Sequence, residues 1–340
     1  MRKTSFASVA ALAAIASLAL SGCTAESEPA AEGGDEPYTV WYADVMDANP
    51  IANAITQGFN EVLTENGVDV VRSLAVDPTT GNIDLAVQSQ ALTRAVSANP
   101  DAIAYFVLDP TASRPQIEQA KEAGIPVFAA FGKPDFEVNG YISLADEAQG
   151  YAAAKYLADN LPEGAKVAVI GGPATPNVLA EEAGAMKALE EAGVEIVGDV
   201  EQQRNLADNA AGGKEVMQGI LSRFPDVQGV FSYNDDSALG AIAAAKQAGA
   251  DVAFTSRNGT ADAVGAVQAG DLLATCDLQP LEVGRALGRA VLAQLTGERD
   301  YQGTEEIEGP TSDACLVTAE NAADWKSPED QIDFVDITLG

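Results

Sequence analysis

At 340 residues the chain exceeds an ordinary domain of about 100–200 residues, which points to two lobes or one large α/β unit. A hydrophobic fraction of 47% and a charged fraction of 21% supply enough apolar material for buried cores and exclude disorder for the chain as a whole. The balance of 19 basic against 51 acidic residues, a net charge of −32, repels phosphate backbones and excludes nucleic acid as a partner, while the lack of histidine removes His-based triads, bases and metal ligands.

The chain opens with Arg2 and Lys3, followed by an uncharged, Ala-rich apolar run from Phe6 to Leu20. That run falls short of the roughly 20 apolar residues a membrane span needs, so it reads as a signal peptide over residues 1–22. Leu20-Ser21-Gly22-Cys23 resembles the lipobox of bacterial lipoproteins, where cleavage precedes a cysteine that carries diacylglycerol. The simpler alternative is an ordinary secretory signal with an incidental cysteine. Residues 23–37 are acidic and contain Pro and Gly without apolar periodicity, as a flexible tether would.

From Tyr38 onward, strands and helices alternate. Short β-rich runs begin at Tyr38, Asp101, Ala165 and Val227, each ahead of a helical run. Four amphipathic runs end at Gly67, Gly124, Gly193 and Gly249, and each is followed by another short apolar run. Glycine past a helix end supplies the left-handed residue that closes it, and a strand apolar on both faces belongs to a parallel sheet covered by helices. The pattern persists to about Leu273 and predicts an α/β fold of two Rossmann-like halves with parallel sheets.

Catalytic and cofactor motifs are scarce. Ile170-Gly171-Gly172-Pro173 lies between a strand and a helix but lacks dinucleotide-loop spacing, and Pro173 lacks an N–H. No Walker A, GxSxG, CxxC or HExxH pattern occurs. No cofactor or metal site is expected. Glu181-Glu182 reads as solvated surface. Asp235, one residue beyond a strand end, is a better site candidate because open α/β sheets bind ligands there.

Several segments resemble the sugar-type periplasmic binding proteins, the ribose-binding-like substrate-binding components of ABC transporters. They are Asp47-Ala48-Asn49-Pro50, Glu122 to Val127, Phe224 to Val227, Phe231 to Gly240, Asn258-Gly259-Thr260 and Leu316 to Asn321. Together they span nearly all of the chain after the tether, and the stretch around Asn234 is the most specific. The resemblance implies two lobes closing on a ligand, joined by crossovers near Leu144–Asp146, Leu278–Pro280 and Ser312–Cys315. It groups residues 38–144 with 280–312 as lobe I, and 146–278 with 314–340 as lobe II. Crossover strands that run side by side also imply a Cys276–Cys315 disulfide in an exported protein, the alternative being two buried free thiols.

The departures shape the expected pocket. Where the family's pentose binders carry two aromatics, this chain has Ile51 and Ala52; where they carry Asp-Arg, it has Phe131-Gly132. A family Arg aligns with Ala180, a Phe-Asp pair with Arg257-Asn258, and a Gln with Leu278. Asn49, Asn234 and Asp235 match. The expected ligand residues are Asn49, Phe131, Asn234, Asp235, Arg257 and Asn258. Each has a second reading: Phe131 and Trp41 as core, Asn49 as a helix cap, and Arg257 as a bridge to Asp235 or Asp277 instead of a partner for a ligand carboxylate.

The resemblance implies a lipid-anchored, monomeric, extracytoplasmic solute-binding protein, not an enzyme. It would capture a small polar ligand, a neutral sugar or polyol, and deliver it to ABC permease subunits. Alternatives are a ligand-sensing subunit for a membrane receptor, a binder of a monocarboxylate such as a sugar acid, or an enzyme using carboxylates on the same scaffold.

Overall fold

The computed structural model describes residues 37–45, 50–77, 79, 83–310 and 314–340. The expected signal peptide, the lipidation site Cys23, Asn49 and Ser312 lie outside the described residues.

The first sheet contains β1 (Thr39–Asp44), β2 (Asp69–Leu74), β3 (Ala102–Phe106), β4 (Val127–Ala130), β5 (Gly140–Ile142) and β11 (Glu305–Glu306), in the order β11-β5-β4-β3-β1-β2. All of its pairings are parallel. The second sheet contains β6 (Lys166–Ile170), β7 (Glu195–Ile196), β8 (Gly229–Ser232), β9 (Ala253–Asn258), β10 (Ala274–Asp277) and β12 (Leu316–Thr318), in the order β12-β10-β9-β8-β6-β7. It is parallel except where β12 runs against β10. This is the two-lobed arrangement that the alternating sequence predicts.

Side-chain alternation places one core on each face of each sheet. Along β1, Val40 and Tyr42 join one cluster while Trp41 and Ala43 join another. Trp41 is therefore core, with its indole N–H donating to Ser73 Oγ at 2.9 Å. In the second sheet Ala168 and Ile170 face one cluster, Val167 and Val169 the other. Gly67, Gly124, Gly193 and Gly249 all take positive φ between 68° and 76°, the conformation expected of helix-closing glycines.

Helices α1 (Pro50–Glu65), α2 (Leu85–Ala98), α3 (Arg114–Glu122) and α9 (Pro280–Leu295) cover the first sheet, and α4 (Asp146–Asp159), α5 (Pro176–Glu191), α6 (Ala210–Arg223), α7 (Asp235–Ala248) and α8 (Ala261–Ala269) the second. Helices α4 and α5 meet at glycines: a Cβ on Gly184 would stand 1.8 Å from the Glu147 carbonyl, and one on Gly150 would stand 2.1 Å from that of Glu181. This close approach decides where the Glu181-Glu182 pair goes.

The chain passes between the lobes after β5, after β10 and between β11 and β12. Cys276 and Cys315 are disulfide-bonded, with a Cα–Cα distance of 4.8 Å. Their 39-residue separation encloses the whole excursion of α9 and β11 into the first lobe, so the bond staples the second and third passages at their lobe II ends. Closing a loop of that length contributes about 3–4 kcal/mol in the chain-entropy account.

The chain end departs from the expected grouping of residues 314–340 with the second lobe. Trp325 donates from Nε1 to Asp277 Oδ2 in the second lobe, at 2.8 Å. Beyond the short helix α10 (Pro328–Gln331), the chain then returns to the first. Val335 exchanges two hydrogen bonds with the Gln57 side chain, at 2.8 and 3.1 Å. Arg72 N–H donates to Thr338 O and Gly340 N–H to Arg72 O, both at 2.7 Å. The free edge of β2 offers unpaired backbone groups, and the tail satisfies them.

Candidate functional site at the carboxyl edges of the two sheets

In open α/β sheets the ligand crevice lies outside the carboxyl ends of the strands, where the order of connection reverses. In the first sheet that point lies between β1 and β3, and in the second between β6 and β8. Both edges carry sequence-predicted residues among those described, though not all in the expected roles.

The first edge is aromatic. Phe131 directly follows β4 at φ 67°, a left-handed conformation unusual for an aromatic residue. Its half-buried ring stacks on Phe106, centroids 4.6 Å apart and planes 24° apart, within a cluster that includes Val45, Ala52 and Leu108. Phe106 was not anticipated; it closes β3 and reads in sequence like any core residue. Beneath this edge Asp44, at the end of β1, is fully buried against Arg72 at 2.5 Å and Thr56 Oγ1 at 2.6 Å. Burial pushes its carboxyl upward, against the guanidinium and its hydrogen bonds.

The second edge is polar. Asn234 caps α7, its Oδ1 accepting from Ser237 N–H at 2.9 Å, while Nδ2 donates to Asp208 Oδ1 at 2.8 Å. The Tyr233 hydroxyl donates to the same Asp208 oxygen. The Tyr233 ring lies where a Cβ on Gly172 would approach within 2.4 Å, so that glycine makes room for the ring. The neighbouring N–H groups are used internally: Gly171 donates to Gln203 O at 3.1 Å and Gly172 to Glu182 Oε1 at 3.1 Å. This glycine pair is thus no phosphate cradle, as its spacing already argued. Asn258 ends β9 at φ 128°, partly exposed, and its side-chain amide makes no hydrogen bond to the described residues.

Asp235 corrects the expectation of a ligand-facing acid. It is wholly buried, and both oxygens are taken by internal donors. Oδ1 accepts from Ser256 Oγ at 2.5 Å and Thr275 Oγ1 at 2.7 Å; Oδ2 accepts from Thr260 N–H at 2.7 Å and Thr260 Oγ1 at 2.9 Å. It fastens α7 to β9, β10 and the turn into α8, and so holds Asn258 in place. Burial pushes its carboxyl up to about 6, against these four donors.

Arg257 is likewise drawn away from the site. Only 3% exposed, it reaches neither Asp235 nor Asp277. Its Nε donates to Gln149 Oε1 at 2.8 Å, Nη1 to Glu181 Oε2 at 3.2 Å, and Nη2 to Asp146. Glu181 and Glu182 are therefore not solvated surface: they are buried where α5 presses on α4. Glu181 Oε1 has no hydrogen-bond partner among the described residues, and burial pushes this carboxyl up to about 8, with Arg257 opposing. Glu182 holds Arg204 through both oxygens, at 2.8 and 2.9 Å, and Arg204 also pairs with Glu201 at 2.5 Å. Each of these two guanidiniums thus faces two acidic side chains. Among the described residues no group of three or more Cys, Asp or Glu side chains is placed to hold a metal ion.

Asp208 had no signal in the sequence. It lies in an exposed loop, at φ 49°, and its partners Tyr233 and Asn234 lie 25 and 26 residues further along the chain.

Comparison with known proteins agrees with this geometry. The family model described as "Periplasmic binding protein domain" matches residues 46–299. The ribose import binding protein of Bacillus subtilis is 25% identical over 286 residues, covering 82% of this chain and 90% of that protein. The fructose import binding protein of Bifidobacterium longum is 27% identical over 333 residues, covering 95% and 97%. Among solved structures, a periplasmic ribose ABC transporter protein from Conexibacter woesei superposes with a TM-score of 0.74 at 24% identity, covering 85% of this chain and 94% of that one. A solute-binding protein from Actinobacillus succinogenes with bound D-allose gives 0.71 at 22%, covering 85% and 100%. These two structures attest the fold. With a family match over most of its length and two parallel-sheet lobes presenting their carboxyl edges, the chain belongs to the periplasmic binding protein family, in its ribose-binding-like branch.

Proposed function

We propose that this protein captures a neutral sugar or polyol between its two lobes, outside the cytoplasm, and hands it to an ABC importer. The observation that carries the reading is the make-up of the two edges. One offers a stacked aromatic pair, Phe131 on Phe106; the other offers acceptors and amides, while the guanidiniums of Arg204 and Arg257 are already neutralised. A sugar has an apolar C–H face for the first and hydroxyls for the second. An anion would meet carboxylates without a free guanidinium at the second edge, and burying it uncompensated is unfavourable. The names of the relatives, which include ribose, fructose and xylitol binders, support the same ligand class.

The experiment is a thermal-shift screen with D-ribose, D-allose, D-fructose, xylitol, D-gluconate and D-glucose 6-phosphate. A ligand at ~100 times its dissociation constant stabilises by ~2.7 kcal/mol. A shift with a neutral member is expected. Tight binding of the phosphate ester alone contradicts the reading. Anchoring through Cys23 belongs to the same proposal. Intact mass of membrane-extracted protein should show diacylglycerol on an N-terminal cysteine, and a mature chain starting at any other residue removes the anchor.

A further inference from the structure

Leu206 and Asp208 share one short loop at the switch point between β6 and β8. Among the described residues Leu206 is the most exposed large apolar side chain, at 71%, and Asp208 is exposed as well. Yet the loop is firmly held. Asn205 N–H donates to Gly171 O at 2.7 Å, and its Nδ2 donates to Ser237 Oγ at 2.7 Å and Asn209 O at 2.8 Å. Asn209 in turn caps α6, accepting from Gly212 N–H at 3.0 Å. Within this frame Asp208 is fixed through one oxygen only. Its Oδ1 receives the Tyr233 hydroxyl and Asn234 Nδ2, and the Tyr233 ring is seated against Gly172. Its Oδ2 has no hydrogen-bond partner among the described residues.

A carboxylate immobilised through one oxygen presents the other as an oriented acceptor. Charged acceptors make stronger hydrogen bonds than neutral ones, and a hydroxyl donor matches that geometry. The same charge repels a carboxylate or phosphate. The nearby Arg204 does not mask it, because that guanidinium already faces Glu182 and Glu201. Asn234, by contrast, has its carbonyl committed to Ser237 and an amide hydrogen committed to Asp208. The second amide hydrogen of Asn234 is uncommitted among the described residues, and Asp208 lies one hydrogen bond further out.

We propose that Asp208 is the specificity-determining residue of the second lobe: its free oxygen accepts from a hydroxyl of a neutral sugar or polyol, and its charge turns away the corresponding sugar acid. This rests on the sugar-binding reading above.

The test titrates the parent protein by calorimetry with D-ribose, D-allose, D-fructose and xylitol, then carries the tightest ligand forward beside D-ribonate and D-gluconate. In Asp208→Asn the neutral ligand should bind at least tenfold more weakly, and the ratio of neutral-ligand to aldonate affinity should narrow at least tenfold. Tyr233→Phe, which frees the anchor but keeps the charge, should weaken binding only a few-fold and preserve that ratio. An unchanged melting temperature shows that each variant folds. If the parent binds a neutral ligand and Asp208→Asn binds it within twofold, this inference alone is overturned. It is also overturned if both affinities fall together with their ratio intact, since Asp208 would then only support the loop. A parent that binds none of the neutral ligands at millimolar concentration overturns the sugar-binding reading as well.

Discussion

The two lobes repeat one strand order, differing in the direction of the edge strand, but place their charges differently at the carboxyl edge. In the first lobe a single buried pair, Asp44 with Arg72, lies beneath an aromatic surface formed by Phe106 and Phe131. In the second, Arg257 faces Asp146 and Glu181, and Arg204 faces Glu182 and Glu201. The first edge therefore offers contact area, and the second offers acceptors with an excess of negative charge. On the proposed reading, the shared fold supplies the position of a ligand and the difference between the edges selects its chemistry.

The largest expected effect tests whether Arg257 is structural. Arg257→Met should leave the buried Glu181 and the partly buried Asp146 without their shared cation and destabilise the protein by ~3–5 kcal/mol, the usual loss when a buried pair is broken. Arg72→Met isolates only Asp44 and should destabilise less. Urea unfolding of both variants makes the comparison. A stable Arg257→Met that loses ligand binding would reverse the assignment and return Arg257 to the site.

The next effect is a pH dependence set mainly by Glu181 of the second lobe, with the raised carboxyl of Asp44 in the first lobe acting in the same direction. Glu181 holds its proton up to about pH 8 in the folded chain, against an ordinary value of 4.5. The native state thus binds more protons than the unfolded state between those values, so stability should fall as pH rises through that window. The decline should amount to ~2–4 kcal/mol in all and be largely removed in Glu181→Gln. Asp235, raised to about 6, acts in the same direction below that pH. Melting temperatures from pH 5 to pH 8.5 that rise with pH, or a slope untouched by Glu181→Gln, would contradict the burial of an under-compensated acid.

The smallest effect separates the two edges in binding. Phe131→Ala should weaken a neutral ligand about tenfold, equivalent to ~1.4 kcal/mol, by removing the stacking surface. It should leave discrimination against aldonates unchanged, whereas Asp208→Asn changes that discrimination. Calorimetry on both variants would show whether area and selectivity divide between the lobes in this way.

Local chemistry made most of the fold legible. Helix-closing glycines such as Gly67 and Gly249 announce themselves by the residues on either side. The βαβ alternation gives the strand ends, and the resemblance to the family singles out Phe131, Asn234 and Asn258 on them. What stayed hidden depends on distant packing. Glu181 and Glu182 look like helix surface until Gly150 and Gly184 bring α4 and α5 together. Asp235 and Arg257 lie close to the site in sequence, but whether a side chain faces outward depends on donors from other strands and helices, Thr275 and Gln149 among them. The tail from Val335 to Gly340 carries no signal that it will pair with an edge strand of the other lobe.

The central claim is that a neutral, polyhydroxylated ligand lies between an aromatic edge and an acceptor edge. A crystal structure of the protein with its tightest neutral ligand tests this most directly. The account predicts an apolar face of the ligand against Phe131, hydroxyls donating to Asp208 Oδ2 and bonded to the Asn258 amide, and Arg257 still paired with Asp146 and Glu181. A ligand held by a released Arg257 guanidinium, or seated away from both strand edges, would contradict it.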